Sequence, residues 1–408
     1  MPFTRLGEES AAVGNRVAMF EGEEDVDLSL SKEQTAVREA LRAWVDKVVA
    51  PKAIENDRTE TFPREALDGL RRDGWIGLTI PEEYGGSGAD PMSYVLLIEE
   101  LARGDSNVRS IVSVHLGLVA GSIERWGTEE QKQHWLPQMA TGECLGCFGL
   151  TEPDAGSDPA SLRSTAVKVD GGYQLNGSKI FITNGTIAGV TLFMARTGGP
   201  GAKGVSAFLV PNDAAGFEAK AIHGKLGLRS CDTAELTLTD VVVGEDALLG
   251  GEGNGIKVAL SALDDGRMSL GASCTGVGQS ALEVMTAYAC DRQQFGRPIA
   301  GFQLIQELIA DTAVEVEAAR LLTWKCADTK ARGERHTLAA SMAKYYASEM
   351  SVRAANAAVQ VHGGYGYVDE FIVGKLLRDA RVTTLYEGTS QVQKLLIGRA
   401  VTGISAFT

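Results

Sequence analysis

The spacing of apolar positions changes period twice along the chain. From Ser31 the stretch SKEQTAVREALRAWVDKVV places apolar residues at helical spacing. Ser31 with Gln34 three positions on has the form of a capping box, and Pro51 predicts the helix end. Further helices are predicted at about 64–73, 91–103, 107–126 and 128–140, broken by loops such as PEEYGGSGADP. Between about 146 and 245 the period falls to two. VKVDGGYQL carries an Asp-Gly turn, and YQLNGSKIFIT sets Asn176-Gly177 between alternating segments, the pattern of a hairpin. VTLFMAR, VSAFLVP and AELTLTDVVV continue the strand character. From about 254 helical spacing returns. Val277, Ala281, Val284 and Tyr288 form one apolar stripe, and the Ala-rich stretch from Ala339 to Ala358 lets helices approach closely.

This order predicts an α+β, mainly α architecture. An extension over 1–30 precedes an N-terminal helical domain over 31–145. A middle antiparallel β-domain over 146–250 and a C-terminal helical bundle over 251–408 follow. The run Gly363-Gly364-Tyr365-Gly366 superficially suggests a dinucleotide-binding turn, but a helical segment precedes it instead of a strand. A Rossmann reading is therefore disfavoured.

Composition narrows the partners. Asp and Glu total 53 against 39 Lys and Arg, a formal charge of −14, which argues against nucleic acid and anionic membranes. A phosphorylated small ligand stays open, because a few placed arginines and a helix N-terminus suffice to hold one. The longest uncharged run, Ser110 to Ile123, is too short to cross a bilayer and reads as a buried helix. Cysteines at 144, 147, 231, 274, 290 and 326 are scattered, and Cys144-Leu-Gly-Cys147 has no second pair near it. They read as buried small apolar residues, not as a metal or redox site, in a reducing, cytoplasmic protein without a signal peptide.

Several segments carry candidate chemistry. CFGLTEPDAGSDPAS, 147–161, supplies hydroxyls and backbone N–H groups in one tight loop that suits the edge of a heteroaromatic ring or a phosphate, or is simply a turn. In KIFITNG, Phe181 and Thr183 share a strand face by period two and could meet a planar cofactor, although a plain core strand has the same pattern. In DRQQFGRPIAGFQ, Arg292 and Arg297 flank Phe295-Gly296, an arrangement for pyrophosphate and adenine or for an inter-helix loop. QVHGGYGYVDEFIVGKLLRD holds glycines that let a backbone approach a ligand, or that link two helices. Finally, LYEGTSQVQ sets Glu387 before Gly-Thr-Ser, where it is either a solvated neighbour of a helix cap or a base held at a helix start.

All of these, in this order, resemble the acyl-CoA dehydrogenase family of flavoenzymes, from about Ser31 to Arg399. GLTEPDAGSDPAS and QVHGGYGYVDEFIVGKLLRD resemble its two signatures, and RQQFG, KIFITNG and YEGTSQ fit as well. The resemblance implies FAD bound between subunits of a homotetramer. Phe148, Leu150, Thr151, Gly156 and Ser157, with the strand Phe181, Ile182 and Thr183, would cradle the flavin ring. Phe181 stands where many relatives have Trp. Arg292, Phe295, Gln303 and the turn Gln360, Val361, His362, Gly363 and Gly364 would reach a neighbouring subunit's FAD. Thr389, Ser390 and Gln391 would complete the cofactor site, and Ser157, Asp264, Arg267 and Gly388 would contact the acyl-CoA.

By the same resemblance Glu387 is the base that removes the α-proton of the thioester while the β-hydride passes to flavin N5. Some family members carry the base on the helix of the LDxxR segment, but here that position is Gly266. Asp265 would point roughly 100° away around the helix. The implied product is a trans-2-enoyl-CoA, with electrons passed to electron-transfer flavoprotein. GLRSCDTAEL and LDDGR lean toward short-chain, butyryl-type members. The alternatives are a flavin oxidase or monooxygenase of the same fold, a dehydrogenase of carrier-protein thioesters, and a non-catalytic acyl-thioester binding protein.

Overall fold

The computed structural model describes residues 28–407, so nearly all of the expected extension over 1–30 lies outside the described residues. The N-terminal helices are α1 (Lys32–Val48), α2 (Ala53–Thr59), α3 (Arg64–Arg72), α4 (Pro91–Gly104), α5 (Ser106–Val112), α6 (Gly121–Trp126) and α7 (Glu129–Ala140). The capping box at Ser31 forms in both directions, Gln34 N–H to Ser31 Oγ at 3.1 Å and Ser31 N–H to Gln34 Oε1 at 3.0 Å. Helix α1 ends at Val48, just before Pro51, as predicted. Pro51 sits in a 3₁₀ turn over Ala50–Lys52, and the unpredicted α2 follows at once. The uncharged run is buried as expected, but Ser113–Ala120 widens into a π-helix between α5 and α6. His115 within it is fully buried, with Nε2 at 3.0 Å from the Met139 carbonyl and Nδ1 accepting the Gly146 N–H. Burial pushes its pKa down to about 4, so the ring is neutral and acts as a tether.

The middle strands are β1 (Gly146–Gly149), β2 (Thr165–Val169), β3 (Gly172–Thr183), β4 (Val190–Arg196), β5 (Val205–Pro211), β6 (Phe217–Ala221), β7 (Thr233–Gly244) and β8 (Leu248–Leu249). They form one sheet in the order β6-β7-β3-β2-β4-β5-β8, with β1 paired to β4. The pairing is antiparallel except that β1 runs parallel to β4 and β2 meets β4 in a single parallel pair. The turn at Asp170-Gly171 forms as predicted between β2 and β3. Asn176-Gly177 does not turn the chain. β3 continues through it along β7, with a register shift between Leu175 and Gly177. A two-residue hairpin turn of that type needs positive φ at both residues, and only Gly177 has it. The glycine is required by the bulge instead, since a Cβ there would lie 2.2 Å from Ser164 Oγ.

The C-terminal part comprises α8 (Gly255–Asp291), the hairpin β9 (Gln293–Gln294) and β10 (Arg297–Pro298), then α9 (Gln303–Ala331), α10 (Thr337–His362), α11 (Val373–Thr383) and α12 (Ser390–Thr402). Helix α8 runs through the middle of this bundle and buries Met268, Leu270, Ala272, Cys274, Val277, Ala281 and Met285. The Ala-rich face of α10 packs on it closely, as the small side chains predict; Ala340, Ala343, Ala347, Ala355 and Ala358 are fully enclosed. Five of the six cysteines are buried, whereas Cys290 near the end of α8 is exposed, against the expectation that all six lie inside. No helix of the described residues is long and apolar enough to cross a membrane.

A buried polar cluster ties the parts together. Lys375 Nζ on α11 bonds Asp105 Oδ1 at 2.8 Å and Asp379 Oδ2 at 2.6 Å. Asp105 also caps α5, and Asp379 Oδ1 accepts the Leu228 N–H from the loop before β7.

Candidate active site

Glu387 lies in the short link between α11 and α12. Thr389 is the N-cap of α12, its hydroxyl accepting the Val392 N–H at 3.2 Å, and the Ser390 hydroxyl donates to Glu349. That leaves Glu387 free of capping duty. Its backbone is left-handed, φ 59°, followed by Gly388 at φ 85°. A non-glycine residue there is strained by roughly 1–3 kcal/mol, so other contacts must hold it. The Glu387 carbonyl accepts Arg267 Nε at 3.3 Å and Gln393 Nε2 at 3.0 Å, and the same Gln393 amide reaches the Gly388 carbonyl. Arg267 is steadied by Asp264, 2.8 Å away, which in turn accepts the Thr337 hydroxyl.

The strained link turns the Glu387 side chain toward Gly266 on α8. A Cβ built on Gly266 would sit 2.4 Å from Glu387 Oε2. The missing side chain at 266 is therefore the space the carboxylate fills. Asp265, one position earlier, faces elsewhere and pairs with His336 and Lys330. Although the residue as a whole is half-buried, Oε2 is shut off from solvent and has no hydrogen-bond partner. Burial pushes the Glu387 pKa up to about 7, against the opposing pull of Arg267, Lys344 and Arg109. The result is a carboxylate poised to exchange a proton at neutral pH.

Glu387 opens on a cavity of about 120 Å³. Phe148, Leu150, Thr151, Phe181, Ile182 and Thr183 line one part of it, with Gly266 and Tyr386 beside the carboxylate. Phe181 is left-handed, φ 61°, at a break in the β3–β7 register, so period two does not hold there. The ring is 66% exposed, held outside the core, while Ile182 is buried. Two aromatic rings and two threonine hydroxyls brought to one cavity fit a planar ring system with polar edges, the expected flavin. The loop that presents Thr151 is pinned by Glu152, which takes the fully buried Lys179 ammonium at 2.7 Å and the N–H groups of Arg163 and Ser164.

The remaining predicted residues lie elsewhere. Gly156 and Ser157 are exposed and outside this cavity. Arg292, Val361, His362, Gly363 and Gly364 line a second cavity of about 580 Å³ with Tyr288 and Tyr365. His362 stacks on Tyr288 there, ring centroids 4.1 Å apart. Phe295 sits at the tip of the β9–β10 hairpin, 93% exposed, and Gln303, Gln360 and Gln391 are exposed on helices. Within one chain the expected cofactor residues thus divide between two cavities and an open surface. Gly388 is explained locally, by its positive φ and by Gln393, whose Nε2 would lie 2.7 Å from a Cβ. Sequence reasoning missed Arg109, Ser113 and Lys344. The available signal was an arginine at the head of a long uncharged run, where burial is expected and a charge needs a reason.

The chain matches three family descriptions in succession: acyl-CoA dehydrogenase N-terminal domain over residues 31–143, middle domain over 147–241 and C-terminal domain over 253–402. It is 43% identical over 377 residues to an acyl-CoA dehydrogenase of Bacillus subtilis (strain 168), covering 92% of this chain and 100% of that relative. The fold is similar to that of butyryl-CoA dehydrogenase from Megasphaera elsdenii, with TM-score 0.90, 38% identity and coverage of 92% and 100%. A chain in a structure concerned with the electron transferring flavoprotein of Acidaminococcus fermentans is equally similar, with TM-score 0.91, 39% identity and the same coverage. The protein belongs to the acyl-CoA dehydrogenase family, a family of oxidoreductases.

Proposed function

We propose that this protein is an FAD-dependent dehydrogenase that converts a short-chain acyl-CoA thioester to the trans-2-enoyl-CoA. The observation that carries the reading is Glu387, a strained, desolvated carboxylate with an unpartnered Oε2 facing the small cavity. A thioester α-C–H is weakly acidic, and a base whose pKa lies near 7 combines ionisation at neutral pH with a useful appetite for the proton. Glu387 removes the α-proton. Bound FAD supplies the acceptor for the β-hydride. The Glu387 N–H, which donates to no protein acceptor among the described residues, is available to the thioester carbonyl as charge builds there. Such a donor is worth roughly 3 kcal/mol. Arg267 and Gln393 position the base through its own carbonyl, and Asp264 acts behind Arg267.

Phe148, Leu150, Thr151, Phe181, Ile182 and Thr183 hold the flavin ring in this reading, with Thr389, Ser390 and Gln391 at the α12 N-terminus near its phosphates. Arg292, Phe295, Gln303 and Gln360–Gly364 reach the FAD of a neighbouring subunit in a homotetramer, which accounts for their distance from Glu387 in one chain. In this reading Ser157 lies near the pantetheine of acyl-CoA, and Gly388, without a side chain, leaves room where the thioester passes. Electrons leave to an electron-transfer flavoprotein; the similarity to the Acidaminococcus structure supports this acceptor, and the Megasphaera enzyme supports a butyryl-sized substrate.

The test is anaerobic stopped-flow mixing of the purified yellow protein with butyryl-CoA. Bleaching of the flavin band, and reoxidation by electron-transfer flavoprotein much faster than by air, is expected. Colourless protein without flavin absorbance refutes the cofactor, and rapid peroxide release in air makes the protein an oxidase.

A further inference from the structure

Lys344 is a lysine without a counter-ion in the interior behind Glu387. It is fully buried, and its Nζ meets no hydrogen-bond partner among the described residues. Its helix, α10, is tied to both sides of the Glu387 link. At the start of α10 the Thr337 hydroxyl donates to Asp264 Oδ2 at 2.6 Å, and Asp264 holds Arg267, which donates to the Glu387 carbonyl. Further along, Glu349 Oε1 accepts the hydroxyl of Ser390, the first residue of α12, at 2.6 Å. Lys344 lies between these ties, about 10 Å along the axis from Thr337 and about 8 Å from Glu349 at 1.5 Å per residue. Two turns separate it from Thr337, so both share the face turned to α8. The two helices approach closely there: a Cβ on Gly271 would stand 3.3 Å from Ala343 Cβ.

Few groups act on this charge. On α8, Arg267 opposes it, and the Cys274 thiol, pushed up by burial, is uncharged at neutral pH. The anions are Glu387 in the link and Glu349 on α10 itself, and Glu349 is engaged by Ser390. Burial pulls the Lys344 pKa down to about 8, so the ammonium persists at neutral pH. Seen from Glu387, the cations are Arg267, Lys344 and Arg109, while the Tyr94 and Tyr386 phenols are pushed up by burial and stay neutral. Arg267 is offset by Asp264, and Arg109 bonds the Tyr386 hydroxyl. Lys344 has neither an ion pair nor a hydrogen bond. A desolvated ammonium is costly to the fold, and an apolar side chain of the same length would fill the site at least as well. Its charge therefore points to the base. Abstraction moves negative charge from carboxylate to thioester without changing the total. A fixed cation behind the base thus governs how often Glu387 is ionised more than how fast the ionised base reacts.

We propose that Lys344 is a positioning residue for proton abstraction, an interior ammonium that keeps Glu387 ionised at neutral pH without touching the substrate. This rests on the acyl-CoA dehydrogenase reading. The experiment follows anaerobic flavin bleaching by butyryl-CoA from about pH 5.5 to about 9.5 in the holoenzyme, Lys344→Met and Lys344→Arg. In Lys344→Met the midpoint of the profile should rise by about one pH unit, the low end of what loss of an opposite charge produces. Bleaching should then be about tenfold slower below pH 7, yet agree with wild type within about threefold above pH 9, where Lys344 has itself lost its proton. Lys344→Arg keeps the charge and should keep the wild-type midpoint. Thermal unfolding without substrate should place Lys344→Met level with wild type or higher. An unmoved midpoint in Lys344→Met, an equal loss of rate at every pH, or a variant that unfolds several degrees lower gives Lys344 a structural role and overturns the proposal. If wild type bleaches and the midpoint of Lys344→Met stays, this inference fails alone; if no thioester bleaches the wild-type flavin, the dehydrogenase reading is refuted and this inference falls with it.

Discussion

Replacing Gly266 by alanine separates the two demands that meet at Glu387. Gly266 lies inside the 37-residue helix α8, where alanine is favoured over glycine by about 1 kcal/mol. The new methyl would stand 2.4 Å from Glu387 Oε2 and 2.8 Å from both Cδ and Oε1. Carbon atoms in ordinary contact sit at about 3.5 Å, so the carboxylate must withdraw by about 1 Å. That withdrawal is cheap for the fold, because the carboxylate is the far end of a flexible side chain and Oε2 gives up no hydrogen bond. For proton abstraction it is expensive: a base misplaced by about 1 Å costs on the order of a hundredfold. Gly266→Ala should therefore unfold at the same temperature as the wild-type protein or slightly higher, and keep its flavin. Its bleaching by butyryl-CoA should slow by about a hundredfold. Bleaching within about threefold of wild type would show that the contact between position 266 and Glu387 has no bearing on the chemistry.

Glu387→Gln should retain FAD and bind acyl-CoA but lose flavin bleaching by roughly 10²–10⁴-fold in stopped-flow; survival within about tenfold would remove Glu387 as the base. Because Glu387 must be ionised to accept a proton and its pKa is raised to about 7, the bleaching rate should fall about tenfold per pH unit below 7 and level off above it, and a flat profile from pH 5 to 8 would contradict this. The same raised value predicts a stability effect of opposite sense. The folded state favours the neutral carboxyl, so its penalty is absent below the ordinary 4.5, grows up to about 7 and is constant above. Denaturant unfolding of Glu387→Gln should accordingly gain on wild type as pH rises from 5 to 8. Lys375→Met strands Asp105 and Asp379 in the interior and should lower the unfolding free energy by about 3–5 kcal/mol; a loss under 1 kcal/mol would show that the cluster does not hold the three parts together.

Long periodic segments were legible because one face of each buries a contiguous core and the spacing must repeat. The capping box at Ser31, the helices over 91–104 and 129–140 and the Asp170-Gly171 turn all follow from such local rules. The misreadings arose where tertiary contacts override a local signal. Asn176-Gly177 has the residues of a hairpin turn, yet β7 pairs with both sides of it and draws the chain straight through as a bulge. Pro51 follows the end of α1 at Val48, as its fixed φ predicts, whereas the short α2 just beyond it was not predicted. The widening at Ser113–Ala120 had no signal at all, since uncharged buried helices of any pitch share the same composition.

The sequence by itself determined the order of helices, sheet and bundle, the family, and Glu387 as the carboxylate worth attention, because these rest on periodicity and on short motifs read within one stretch of chain. Only the tertiary structure decided what surrounds that carboxylate. The gap at Gly266, the grip of Arg267 on the Glu387 carbonyl and the contact of the buried Arg109 with Tyr386 come from segments more than a hundred residues apart. Desolvation and charge balance are sums over all such neighbours, and no window of sequence contains them.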